Sequence, residues 1–229
     1  MKGPIRAFSA GRHYGDRKEV TMYHSLRSYL PQEGRSYLKP EKAGPLEEEM
    51  RHLKKLGQAA RIEFTAIVEM LAPKIAPLEK TRISHWASQA QVLRPHFWCY
   101  FKSPEDAADD VAMAVRMYGT AEQFGISVEV SFIERKKSDQ TLRKQAKVLD
   151  LPIANPLYYR VQEKDEMYCL EGTEANRQLL RQKLAAQEIR KVLVKWDLPV
   201  VDNLSWEELT DQLAAGFERL KPYYVQAKG

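Results

Sequence analysis

His96, Trp98 and Tyr100 recur at every second position of "PHFWCYFKS", as do Arg116 and Tyr118 in "VAMAVRMYG" and Ser127, Glu129 and Ser131 in "ISVEVSF". A period of two is that of a strand with two unlike faces. One face then gathers rings that can lie against a planar ligand, a guanidinium that can meet an anion through paired hydrogen bonds, and a carboxylate. The chemistry this suggests is recognition of an anionic ligand. Proton transfer on a phosphorylated metabolite by His96, Arg116 and Glu129 is the alternative.

The opposite face is apolar throughout: Phe97, Cys99 and Phe101; Val111, Met113, Val115 and Met117; Ile126, Val128, Val130 and Phe132. Pairing Tyr118 with Ser127 in a hairpin matches like with like along both strands, and it sets Arg116 directly opposite Glu129. From "LYYRVQ", Tyr158 and Arg160 are expected on the same side as these groups. The candidate ligand-binding set is therefore His96, Trp98, Tyr100, Arg116, Glu129, Tyr158 and Arg160. Rings beside alanines are also what a second layer of structure or a second copy of the chain would cover, which would make the face structural.

A run of cations follows the third of these strands: Arg135, Lys136, Lys137, Arg143, Lys144 and Lys147. It can contact phosphate groups of a nucleic acid or a phosphorylated small molecule. Glu134, Asp139 and Asp150 dilute it, and a solvated helix face is the plainer reading.

The elements that must position these groups are legible from periodicity. Leu46, Met50, Leu53, Leu56, Ala60, Phe64, Ile67 and Leu71 form the stripe of a long helix closed by Pro73, with Gly57 as a point of bending. A short helical piece is expected near Ile83 to Ala90, then the strand "HFWCYFKS" and the hairpin "DVAMAVRMYG"/"FGISVEVSFIE". A helix over Ser138 to Asp150 should bury Leu142, Ala146 and Leu149. Next come a hairpin "LYYRVQ"/"EMYCLEG", a helix from Thr173 to about Ile189 and a strand "KVLVKWDL". The last helix opens with the capping box Ser205-x-x-Glu208 and has Pro222 at its end. Together these predict an α+β fold over residues 45–229, a mainly antiparallel sheet of about five to six strands with helices packed on one face.

Residues 1–44 read differently. They hold five of the 11 glycines and nine Lys/Arg against four acids, so that the whole net charge of +5 resides there. This predicts a basic, Gly/Pro-containing arm with a short helix around Thr21 to Leu30. Its rings, Phe8, Tyr14, Tyr23, Tyr29 and Tyr37, anchor it to the domain, to a second copy as a homo-oligomer, or to nucleic acid.

Among the 229 residues no apolar stretch approaches membrane-spanning length, and no apolar segment follows the N-terminal cations, so a cytoplasmic protein with no membrane partner is expected. Cys99 and Cys169 stand alone within strand-like runs and are expected as buried thiols. The five histidines lack metal-ligand spacing, so no metal is expected. "SAGRHYGD" lacks the spacing of a dinucleotide turn, and neither a phosphate-binding loop nor a nucleophile elbow occurs, so no cofactor is expected.

"RPHFWCYF" together with "FGISVEVSFIERKK" is similar to a bacterial protein family labelled glucose-6-phosphate 1-dehydrogenase, over residues 94–150. The resemblance implies a bacterial cytosolic protein of unassigned function and transfers no active-site residue.

Overall fold

A computed structural model of the chain describes residues 22–88, 91–94 and 96–229. The arm's expectations for Lys2, Arg6, Phe8, Arg12, Tyr14, Arg17, Lys18 and Thr21 lie outside the described residues, as do those for Ala90.

The elements run α1 (His24–Tyr29), α2 (Glu47–Leu71), β1 (Glu79–Lys80), β2 (Trp98–Lys102), β3 (Val111–Gly119), β4 (Phe124–Phe132) and α3 (Asp139–Ala146). They continue with β5 (Tyr158–Glu163), β6 (Glu166–Glu171), α4 (Glu174–Ala185), β7 (Ile189–Pro199) and α5 (Trp206–Lys228). Among the described residues seven strands join one antiparallel sheet in the order β1-β2-β3-β4-β7-β5-β6. The α+β class with an antiparallel sheet stands, and the strand count is corrected to seven. β1 contributes two residues, too few for any alternation to be read.

The core forms where the apolar faces of the strands meet the helices. Phe64 of α2 stacks on Phe97 with centroids 5.7 Å apart, and Phe217 of α5 meets Phe101 edge-on at 5.3 Å. Residues 22–44 enter the same core: Tyr23, Leu26 and Tyr29 are buried in it. The Tyr29 hydroxyl sits between the carbonyls of Trp86 and, at 2.7 Å, Arg94, which share its one proton. That contact ties α1 to the segment that becomes one wall of the site described below.

Several local expectations are corrected. Arg116 lies opposite Ser127 and Ala114 opposite Glu129, so the hairpin register differs by two residues from the expected one. A slip of two preserves every face, which is why the pattern alone could not choose between the registers. The stretch from Ile83 to Ser88 is not helical. It is irregular, with a bend at Trp86 and a bridge from Ala87 to Leu93.

Gly57 has a packing role as well. A Cβ there would fall 2.6 Å from the Trp86 ring, so the missing side chain lets the indole lie directly on α2. α3 opens at the capping Ser138 as expected, yet it buries Thr141 and Gln145 in place of Leu142 and Ala146. Gln145 donates to the carbonyls of Val130 and Val192 at 3.0 and 3.1 Å, where β4 and β7 diverge, and this outweighs the burial of a methyl group. α4 stops at Ala185, and Ile189 opens β7. Pro222 lies inside α5, which continues to Lys228. Cys99 is buried, whereas Cys169, on the edge strand β6, is exposed. Among the described residues no helix is long and apolar enough to cross a membrane.

Candidate functional site

Alternation leaves two cross-strand rows on the face turned away from the core. One row is Trp98, Arg116, Ser127 and Asp197, and the other is Tyr100, Ala114, Glu129, Lys195 and Tyr158. Trp98, Arg116, Tyr100, Glu129 and Lys195 of these rows floor a groove of about 1050 Å³, walled by residues from Thr81 to Ser88 and Arg94 on one side and Ile133 to Lys136 on another. His96, Trp98, Tyr100, Arg116, Glu129 and Arg160 all line it. Tyr158 stands beside the lining, under Lys195, whose Nζ is 5.8 Å from its ring centre.

At the centre Arg116 crosses from one row to the other. Its Nη2 and Nε donate to Glu129 Oε1 at 2.9 and 3.1 Å. Glu129 has no exposed surface, and burial alone would raise its pKa. The charges of Arg116 and Lys195 overcome that and hold the carboxyl down at about 2. Arg116 likewise keeps its proton firmly, since the Glu129 charge outweighs burial, which favours the neutral form. Lys195 is 3% exposed, with Nζ 3.5 Å from Glu129 Oε2. Oε2 itself accepts no hydrogen bond.

Trp98 is not a bare stacking platform. The guanidinium carbons of Arg94 and Arg116 lie over its ring at 4.7 and 5.2 Å from the centroid, so the indole holds two cations in place. Arg94 has its Nε buried without a partner, and its pKa is lowered first by burial and then by the charge of Arg135. Burial also lowers the His96 pKa. At the far end Tyr158 donates to Asp197 Oδ1 at 2.9 Å, and burial raises the Asp197 pKa.

The basic run divides. Arg135 and Lys136 line the groove, while Lys137 turns to Glu134 at 2.5 Å. Arg143, Lys144 and Lys147 are not part of its lining, and Lys144 is bound to Asp110 at 3.0 Å. Four cations of the site were not singled out from sequence: Arg82, Arg94, Lys191 and Lys195. For the last two the signal was present, since "KVLVKWD" alternates and places Lys191 and Lys195 opposite the buried Val192 and Val194. Arg82 and Arg94 sit in an irregular segment that carries no period.

No protein-family model matches the chain, and no curated protein matches it. The groove's geometry therefore carries the functional argument.

Eight Lys and Arg side chains line the groove against two carboxylates, Glu129 and Glu134. Glu129 is engaged by Arg116 and Lys195, and Glu134 by Lys191 and Lys137. Among the described residues no carboxylate stands within ion-pair distance of Arg82, Arg94, Lys136 or Arg160. Nor is any group of three or more His, Cys, Asp or Glu placed to hold a metal ion. Chemically, the arrangement is a positive cleft with a rigid, paired floor.

Proposed function

We propose that this chain is a binding module for an anionic ligand, a nucleotide or a nucleic acid, held in the groove on the outer sheet face. The observation that carries the reading is the excess of cations lining the groove, four of them with no carboxylate within ion-pair distance among the described residues. A concave surface of one sign concentrates field and favours a ligand of the other. Binding fits the site better than acid–base catalysis. A carboxylate with its pKa near 2 is too weak a base for proton abstraction at neutral pH, and Glu129 is fixed by its two cations. The working compartment we assign is the cytoplasm, where an exposed free thiol such as Cys169 stays reduced.

The test is a titration of the full chain with inorganic phosphate, ribose 5-phosphate and single- and double-stranded oligonucleotides across a salt series. Saturable binding that weakens as salt rises is expected for at least one probe, reduced at least fivefold by the pair Arg94→Gln and Arg160→Gln. Absence of binding by every probe at low salt would overturn the reading.

A further inference from the structure

Two guanidiniums meet on one ring, and the protein holds each of them in place. The guanidinium carbons of Arg94 and Arg116 lie 4.7 and 5.2 Å from the Trp98 ring centre. Trp98 is itself tied down: its backbone N–H donates to Ser84 Oγ and its carbonyl accepts from the Ser84 N–H, both at 3.0 Å. Arg94 is anchored through its backbone, whose N–H donates to the Trp86 carbonyl at 2.8 Å and whose carbonyl faces the Tyr29 hydroxyl at 2.7 Å. Arg116 is fixed through its side chain, with Nε and Nη2 both on Glu129 Oε1.

The donors left over are the ones a ligand can reach. Arg116 Nη1 makes no hydrogen bond among the described residues, and neither do the two Nη atoms of Arg94. Of these two guanidiniums only Arg94 Nε is both buried and unbonded, so the three Nη atoms are open. Both side chains line the groove, and 28% of the Arg116 side chain is exposed there. Like charges on one indole repel, and burial followed by the charge of Arg135 already weakens the hold of Arg94 on its proton. An oxyanion seated across the two forks relieves that repulsion, and because the forks are already oriented, little ordering is lost on binding.

Charge and oxygen count narrow the anion. A phosphodiester has a single charge and two unesterified oxygens. A phosphomonoester has three, with a charge of about −1.5 to −2 at neutral pH, so each open Nη has an oxygen of its own. Planar guanidinium forks suit that group better than point charges do.

We infer that Arg94 and Arg116, mounted on Trp98, form a subsite for a phosphomonoester group, that of a mononucleotide or of the phosphorylated end of a strand. This rests on the anion-binding reading above and selects among anions.

The experiment is calorimetric titration of the full chain, at neutral pH and fixed salt, with uridine monophosphate, its phosphate O-methyl ester, and an oligouridylate with and without a 5′-phosphate. The methyl ester keeps base and sugar and loses a charge and a free oxygen, and it is expected to bind at least tenfold more weakly. The oligouridylate should likewise lose affinity without its 5′-phosphate. Tighter binding of the phosphorylated oligouridylate than of the mononucleotide assigns the subsite to a strand end, and the reverse assigns it to a free nucleotide. Arg94→Lys keeps the charge and removes the fork, and should weaken uridine monophosphate at least fivefold. Arg219→Gln removes a charge outside the groove, on the exposed side of α5, whose Phe217 packs on the core face of the sheet. It should leave every affinity within about twofold. Near-ultraviolet circular dichroism confirms that each variant is folded, and the comparison of nucleotide with ester needs no variant. Equal affinity for uridine monophosphate and its methyl ester would overturn the inference while leaving the anion reading standing. Unchanged affinity in folded Arg94→Lys would do the same. If none of the four probes binds at low salt, both fall.

Discussion

Arg116 and Glu129 face different partners across the β3–β4 ladder, Ser127 and Ala114, yet their side chains meet diagonally at 2.9 Å. The diagonal is open because the residue opposite Glu129 is an alanine, which leaves room for the guanidinium to lean across. Glu129 then sits between Arg116 on its own hairpin and Lys195 on β7, and the three charges join strands that arrive from distant parts of the chain. Removing the middle charge strands two cations, one of them buried. Glu129→Gln is expected to destabilise the fold by about 3 kcal/mol, the scale for breaking a buried pair from one side. Urea denaturation at pH 7 measures it, and a loss below about 1 kcal/mol would mean the cations find solvent or other partners.

The same residue sets an acid limb on stability. Its pKa is 4.5 when unperturbed and about 2 in the fold, so the folded state holds the proton less tightly than the unfolded chain. The stabilisation is complete above about pH 4.5 and is lost as pH falls toward 2, because there the unfolded state binds the proton first. Comparing wild type with Glu129→Gln isolates this contribution from the other carboxylates. The stability difference between the two should be constant from pH 7 to 5 and shrink by most of its value by pH 2.5. A difference independent of pH would show that Glu129 titrates normally.

Gly57→Ala tests how the groove wall is held. The added methyl would sit 2.6 Å from the Trp86 ring, and Trp86 is buried and pinned through its carbonyl by Tyr29. The indole cannot yield freely, so the variant should lose about 1–3 kcal/mol, the usual cost of overpacking. On a solvent-exposed helix position the same change would stabilise, because glycine is a poor helix former. The sign of the shift in thermal midpoint therefore decides between close packing and a simple bend.

What could be read from the chain, and what could not, follows from the range of each interaction. The two faces of β2, β3 and β4 were legible because burial repeats every second residue, and that pattern predicted Arg116 and Glu129 on one face. The register was not, because a shift of two leaves the pattern unchanged. α3 misled because its buried stripe is polar: Thr141 and Gln145 are buried for the hydrogen bonds they make, a reason that hydropathy does not encode. Lys195 was passed over although its strand alternates, since a lysine in a strand is ordinarily solvated. Its burial depends on Glu129, 66 positions away in sequence, and only the placement of β7 beside β4 brings the two together.

Trp98→Ala separates a ring that holds cations from a ring that stacks on ligand. The indole lies under both Arg94 and Arg116, and removing it deletes no charge. If its function is to fix the guanidiniums, phosphate affinity should fall several-fold while the salt dependence of binding is unchanged, because the number of cations meeting the anion is the same. Arg94→Gln should differ, lowering affinity and flattening the salt dependence together, since a charge is lost. If Trp98 instead stacks on a base, its removal would weaken uridine monophosphate and spare ribose 5-phosphate. Affinities of both probes for both variants, each across a salt series, distinguish the two roles.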